Sequence, residues 1–267
     1  MSDESGFQIG RDAPLFYEAH VSGFMAPFVE ALVAATVWPG HAVLDVACGT
    51  GFATRAAATV AGTGARVEGS DLNRSMLDQA RVVPHDSGAT PQWCEASALA
   101  LPYADGEFDS VICQQGLQFF PDPGAGIAEM ARVARAGGRL GATVWSAAEA
   151  TPFLHRETQM LARHGGEAQA EFSATEHELR AWFTNDVVED VSVELLTVDI
   201  DLPPVLAFVP EHLRALPWSA SFFRLPAQQQ AAALDELDAD LAGYRTDAGI
   251  RVPFSSYLVT ATRGPHG

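Results

Sequence analysis

An α/β fold follows from three observations on this sequence. Apolar, strand-like runs alternate with helical stretches five times before residue 147. The first run, Ala42 to Val46, passes through Asp45 into a turn of small residues, Ala47-Cys48-Gly49-Thr50-Gly51. After Trp145 the alternation gives way to helical stretches that separate two late strand-like runs. Repeated strand–helix alternation demands a mostly parallel sheet with helices on both faces.

The elements run as follows. Residues 14–37 carry Phe16, Tyr17, Phe24, Phe28 and Leu32 at helical spacing, and Pro39-Gly40 ends that stretch. Ala42 to Val46 is the first strand. Thr54 to Val60 is Ala-rich and helical, stopped by Gly62 and Gly64. Arg66 to Ser70 is the second strand and ends at Asp71, after which Asn73 or Ser75 can cap a helix through Met76, Leu77 and Ala80. Gln92 to Glu95 is a third strand, and Leu101 to Gly106 is a loop. Phe108 to Gln114 is the fourth strand. A helix over Gly126 to Ala134 is expected to stop at Gly137-Gly138, with Arg139 to Trp145 as the fifth strand. Residues 151–184 look helical, Glu194 to Asp201 alternates as a strand, 205–243 is helical again, and Phe254 to Thr262 is the last strand. The 205–243 segment, lying between two strands, reads as an insertion and a plausible lid.

The 267 residues suffice for one elaborated α/β domain, and 48% hydrophobic content supplies a sizeable core. The 16 basic and 34 acidic residues leave a net charge of −18, and every basic residue is Arg. So acidic a chain, without a basic cluster, is a poor partner for nucleic acid or an anionic membrane, and neither is expected. No apolar run reaches the length of a membrane span. Met1 to Ser5 is acidic and polar, unlike a signal peptide, so a cytoplasmic location is expected. Cys48, Cys94 and Cys113 are too scattered for a zinc site or a full disulfide framework, and no metal is expected. Cys94 and Cys113 read as buried small hydrophobes.

A Gly-rich turn lets backbone approach a ligand closely. Asp71 follows Gly51 by 20 positions, and together they suggest a nucleoside-containing cofactor bound beyond the strand ends. A nicotinamide fingerprint wants a third Gly three positions on, where this chain has Thr54. Asp45 also adds negative charge where a pyrophosphate would lie. The sign favours a cationic ligand such as S-adenosylmethionine, which carries an ammonium and a sulfonium and no phosphate.

Ordered blocks sharpen this. Val43 to Gly51, Gly69 to Leu77, Leu101 to Asp109, Leu117 to Asp122 and Ala136 to Leu140 together resemble class I S-adenosylmethionine-dependent methyltransferases of the small-molecule type, similar to quinone-biosynthesis methyltransferases. The resemblance covers roughly residues 40–146. It implies a three-layer fold around a seven-stranded, mostly parallel sheet of order 3-2-1-4-5-7-6, its seventh strand antiparallel. Asp45 and the backbone of Ala47, Cys48, Gly49 and Gly51 would hold the methionine end. Asp71 would accept the ribose hydroxyls, Leu72 and Met76 would sandwich the adenine, and Ser97 and Ala98 would meet its edge. Gln114 would offer its carbonyl to the ammonium, and Tyr17 would cover the cofactor. Relatives often carry Asp where Ser97 stands and His where Gln118 stands.

A base is needed only if the acceptor must lose a proton. His20, His155, His164, His177 and His212 are candidates. His20 ranks first because it lies three residues from Tyr17 on one helix. Trp145, Phe153, Trp182, Phe183, Phe208, Trp218, Phe222 and Phe223 supply both core and an apolar acceptor pocket, with Trp218 to Phe223 as the preferred lid segment. The expected organisation is one domain: a helical cap (1–38), a cofactor-binding core (40–146) and a substrate-side half (147–267) with the lid. The expected activity is methyl transfer to O, C or N of a small, largely apolar acceptor by a monomer or homodimer. Two alternatives stay open: a non-methylating cyclase that binds the same cofactor, and a nicotinamide-dependent oxidoreductase.

Overall fold

The computed structural model describes residues 12–85, 87–164, 173–184 and 186–265. Two helices lead, α1 (Ala13–His20) and α2 (Ser22–Thr36). The alternating unit follows: β1 (Val43–Val46), α3 (Phe52–Ala61), β2 (Val67–Asp71), α4 (Arg74–Val82), β3 (Gln92–Glu95), β4 (Phe108–Gln114), α5 (Pro123–Val133) and β5 (Ala134–Trp145). The second half holds α6 (Pro152–Arg163), α7 (Glu176–Trp182), β6 (Val188–Leu202), α8 (Val205–Arg214), α9 (Ala220–Arg224), α10 (Ala227–Asp240), β7 (Arg245–Thr246) and β8 (Gly249–Arg263).

The sheet order is β3-β2-β1-β4-β5-β8-β6, with β7 paired to β8. β1 to β5 pair in parallel, and β8 runs antiparallel to both β5 and β6. The seven expected strands thus stand in the expected order, and the two-residue β7 makes an eighth. Alternate strand residues feed opposite faces. Val43 and Ile112 join one buried cluster with α2, α3, α6, α8 and α10, while Leu44, Val111 and Cys113 join another with α5 and α7. That is the three-layer arrangement.

Several boundaries differ for identifiable reasons. α5 begins at Pro123, where the Asp122 carboxylate accepts a hydrogen bond from Ala125 N at 2.9 Å and Pro occupies the first turn. Gly137-Gly138 does not end that helix. The pair lies inside β5, where the β4–β5 register slips between Phe108 and Ser110. The late strands outrun their predicted bounds because β6 and β8 support each other along a ladder from Val188–Arg263 to Leu202–Ile250. Within 151–184 the chain forms α6 and α7, and its 165–172 portion lies outside the described residues, as does 1–11 of the cap. Asn73 rather than Ser75 caps α4, its Oδ1 accepting from Ser75 N at 3.0 Å. Cys113 is buried as expected, whereas Cys94 is half-buried.

Among the described residues, no single helix is long and apolar enough to cross a membrane. α1 and α2 meet that test only as a pair bent by 66°. Phe28 and Leu32 of α2 are buried against the sheet. A Cβ added at Gly141 of β5 would lie 2.3 Å from Thr36 Cγ2 and 2.8 Å from Leu32 Cδ1. Gly141→Ala is therefore expected to push α2 off the sheet at a cost of about 1–3 kcal/mol, measured by urea unfolding.

Candidate active site

The site is built where β1, β2 and β4 end side by side. Leaving β1, the backbone reverses through Ala47, Gly49 and Gly51 with φ of +57°, +55° and +83°. Cys48 N donates to Ser70 O at 2.9 Å, tying the turn to the neighbouring strand. Gly51 has a second reason to lack a side chain: its Cβ would lie 2.2 Å from the Trp93 ring. Trp93 of β3 also lies under Gly69, so this indole is the floor on which the turn and β2 rest.

Asp71 closes the turn from the side. Its Oδ2 accepts from Gly49 N at 2.8 Å and its Oδ1 from Asn73 N at 2.7 Å. Burial raises this carboxyl above the ordinary range, and the two backbone donors oppose the rise. Asp45 lies one layer deeper and is fully buried. Thr54 Oγ1 donates to its Oδ2 at 2.6 Å, and its Oδ1 has no hydrogen-bond partner among the described residues. Burial pushes the Asp45 carboxyl up to about 7, against the Thr54 hydrogen bond, and Asp71 adds to the rise.

A third carboxylate arrives on α1. Glu18 Oε2 accepts from Thr50 Oγ1 at 2.5 Å, and its Oε1 pairs with Arg55 at 2.5 Å. Arg55 also donates to Thr50 O at 2.6 Å. This cluster fastens the cap to the turn. Three carboxylates and one guanidinium make the site's local charge negative. The unpartnered Oδ1 of Asp45 beneath the turn adds to a set of acceptors that fits a cationic nucleoside and opposes a pyrophosphate.

From here a single cavity of about 710 Å³ extends between α2, α6 and α8. That volume lies within the usual range of small-molecule sites, about 300–1,000 Å³. Tyr17, Ala47, Cys48, Gly49, Asp71, Leu72, Met76, Ser97, Ala98 and Gln114 all line it, so ten of the expected cofactor residues converge. Burial, with Asp71 and Glu18 nearby, raises the Tyr17 phenol, which stays neutral. Burial also holds the Cys48 thiol up, so it is no nucleophile.

Three expected residues stand elsewhere. Asp45 does not line the cavity and acts from below. Gly51 faces Trp93 instead. His20 lies outside the lining, its ring 6.4 Å from Phe16 and 6.3 Å from Phe208. Helix geometry explains this: Val21, four residues after Tyr17, takes the cavity-facing position that His20 was expected to hold. Of the other candidates, His155 and His212 line the cavity and His164 does not; it pairs with Glu236 at 2.8 Å. His177 also stays outside, on α7.

The segment expected to form a lid is divided between cavity and core. Trp218 and Leu216 line the cavity, but Phe222 is core and Phe223 packs near the Arg214 guanidinium, 5.5 Å away. Trp145 lines the cavity, whereas Phe153 and Phe208 wall it from the core and Phe183 lies across the sheet. The sequence reading missed Glu18, Arg55 and Trp93. An Arg in an Ala-rich helix was the one local signal. It also missed an amide relay: Gln118 Nε2 donates to Gln115 Oε1 at 3.0 Å, and Gln115 Nε2 donates to Ser256 Oγ at 2.8 Å. Gln115 holds φ at +50°, a strained value where β4 meets the cavity.

Comparison with known proteins agrees with this geometry. Residues 44–142 match the family described as "Methyltransferase domain". An uncharacterized protein of Mycobacterium tuberculosis is 44% identical over 123 residues, covering 46% of this chain and 44% of that protein. The ubiquinone/menaquinone biosynthesis C-methyltransferase UbiE of Burkholderia vietnamiensis is 42% identical over 106 residues, covering 40% of this chain and 44% of that enzyme. The matches thus span less than half the length of these curated relatives. Among solved structures, a putative methyltransferase from an antibiotic biosynthesis pathway of Anabaena variabilis superposes with a TM-score of 0.61 at 19% identity, covering 87% of this chain and 96% of that one. The YcgJ protein of Bacillus subtilis gives 0.58 at 17% identity, over 91% of this chain and 100% of that one; at such identities the likeness is one of fold. The similarity to a methyltransferase domain thus covers residues 44–142.

Two outcomes test the site's physics. The folded state holds the Asp45 proton more tightly than the unfolded chain, so wild type loses stability as pH rises from the ordinary carboxylate range through about 7. Asn cannot ionise. Across that window, the stability difference between Asp45→Asn and wild type should move in the variant's favour by up to roughly 4 kcal/mol in urea titrations. Glu18→Ala should loosen α1 by about 1.5–3 kcal/mol, the worth of charged hydrogen bonds, seen as faster amide exchange over Ala13–His20.

Proposed function

We propose that this protein transfers a methyl group from S-adenosylmethionine to O, C or N of a small, largely apolar acceptor, such as a polyketide, quinone or other secondary metabolite. One observation carries the reading: a single cavity joins a carboxylate-ringed glycine turn to an apolar chamber. The first end suits a sulfonium nucleoside and the second an uncharged carbon skeleton. The relative named as a quinone C-methyltransferase and the structural neighbour named for an antibiotic pathway support this acceptor class. The net charge of −18 favours a small molecule over nucleic acid.

The chain's own residues divide the work. Each Asp71 oxygen accepts one backbone N–H and keeps a lone pair for a ribose hydroxyl. Leu72 and Met76 flank the adenine, and Ser97 and Ala98 meet its edge. The turn at Ala47 to Gly49 and the Gln114 carbonyl receive the methionine end, whose positive charge favours the ionised form of Asp45 below. Tyr17 and α1 close over the ligand, excluding water and aligning the in-line displacement, from which much of the rate derives. The bound cofactor supplies an electrophilic methyl group.

Asp71→Ala should weaken S-adenosylmethionine binding by about 1.5–3 kcal/mol, roughly 10- to 150-fold in Kd by calorimetry. An unchanged Kd would remove the ribose assignment. Tighter binding of a nicotinamide dinucleotide than of S-adenosylmethionine would sink the methyltransferase reading. Acceptor consumption without release of S-adenosylhomocysteine would point instead to a non-methylating enzyme.

A further inference from the structure

One polar pair stands among the aromatic side chains at the acceptor end. His212 of α8 and Glu157 of α6 are 1% and 3% exposed, with Nδ1 and Oε1 2.9 Å apart. Both line the cavity. Phe24, Phe153 and Phe208 enclose the imidazole, with ring centroids at 5.8, 5.6 and 5.4 Å. A polar pair in such a setting costs more than an apolar contact that would join α6 to α8 equally well. Its position on the cavity wall gives it another use. The Glu157 carboxylate, accepting from Nδ1–H, selects the tautomer whose Nε2 carries the lone pair. Among the described residues, none hydrogen-bonds to Nε2.

We propose that His212 is the general base of the acceptor site, that Glu157 positions it, and that the acceptor is an apolar molecule whose reacting group is an aromatic or enolic hydroxyl. This rests on the methyltransferase reading above. An amine attacks a sulfonium without prior loss of a proton, whereas a neutral hydroxyl is a poor nucleophile and gains from a base. The apolar walls disfavour entry of a preformed anion, so the proton must leave inside the cavity. In the step, the acceptor O–H bond breaks and its proton passes to Nε2. The oxygen lone pair forms the O–CH3 bond as the S–CH3 bond breaks and leaves its electron pair on sulfur. The positive charge lost from sulfur reappears on the imidazole, beside the Glu157 carboxylate, and the proton later returns to water.

The surroundings limit which other groups could serve. Around His212, α2 presents Phe24, β8 presents Phe254 through Phe24 and Phe153, and α8 presents Phe208. From α6, besides Glu157, His155 lines the same cavity, its Nε2 engaged by Gln159 at 2.8 Å. Asp71 and Glu18 belong to the cofactor end.

The test uses the full chain with β-naphthol as probe. Loaded with S-adenosylhomocysteine at neutral pH, wild type should bind the naphthol with a larger naphtholate fraction than free solution shows, read from its absorption. His212→Asn should abolish that excess. With S-adenosylmethionine present, His212→Asn should lower kcat for methyl ether formation about 100-fold or more, with KM changed much less. Glu157→Gln should lower kcat about tenfold and move the acid limb of the pH profile downward, because an imidazolium without its carboxylate loses its proton more readily. A purely structural pair would move neither the spectrum nor the limb. Unchanged S-adenosylhomocysteine affinity certifies each variant as folded. Full transfer by a folded His212→Asn variant overturns the base assignment. Absent naphthol binding, or binding with neither naphtholate nor transfer, overturns the acceptor class. Failure of wild type to bind S-adenosylmethionine would instead sink the methyltransferase reading.

Discussion

The carboxylate of Asp71 holds together the ends of two strands. By accepting from Gly49 N and Asn73 N at once, it fixes the turn after β1 relative to the start of α4. Everything at the cofactor end hangs on that fixation. The turn can then present its backbone to a ligand, rest on Trp93 and expose Thr50 to Glu18. Such an arrangement concentrates negative charge in a buried place. Part of the cost is offset by Arg55, and part is left standing on Asp45. A cation is the ligand that relieves the remainder, so the electrostatic strain and the proposed cofactor are two sides of one constraint.

The acceptor end obeys a different constraint. Its walls come from α2, α6 and α8, which pack on one another through aromatic rings. α8 lies in the segment between β6 and β8 and packs on α1 and α10, and His212, Leu216 and Trp218 of that segment line the chamber. Backbone shape there is dictated by packing rather than by hydrogen bonding. The exceptions include the His212–Glu157 pair, the His155–Gln159 pair and the Gln118–Gln115–Ser256 relay.

Legibility from sequence followed the range of the interactions. β1, β2, β3 and β4 were read nearly to the residue, because buried parallel strands are short apolar runs bounded by turn residues. The glycine turn and Asp71 were legible because their geometry depends on the local backbone. β6 and β8 were read too short, since their outer turns are held by each other rather than by their own composition. His20 was misplaced because a spacing of three and a spacing of four cannot be told apart until the helix has something to pack against. Glu18 and Arg55 lie 37 positions apart, and no local pattern announces that they meet.

By itself, the sequence determined the alternating fold, the order of its motifs, the acidic glycine turn and so the sign of charge a ligand must carry. Each of these rests on residues close together along the chain, where covalent geometry limits the outcomes. Tertiary structure alone decided which histidines face the cavity, which aromatic residues line it and which merely support it, and how α1 is fastened to the glycine turn. Those outcomes depend on the relative rotation of helices tens or hundreds of residues apart. Packing against the sheet sets that rotation, and periodicity along one helix does not specify it.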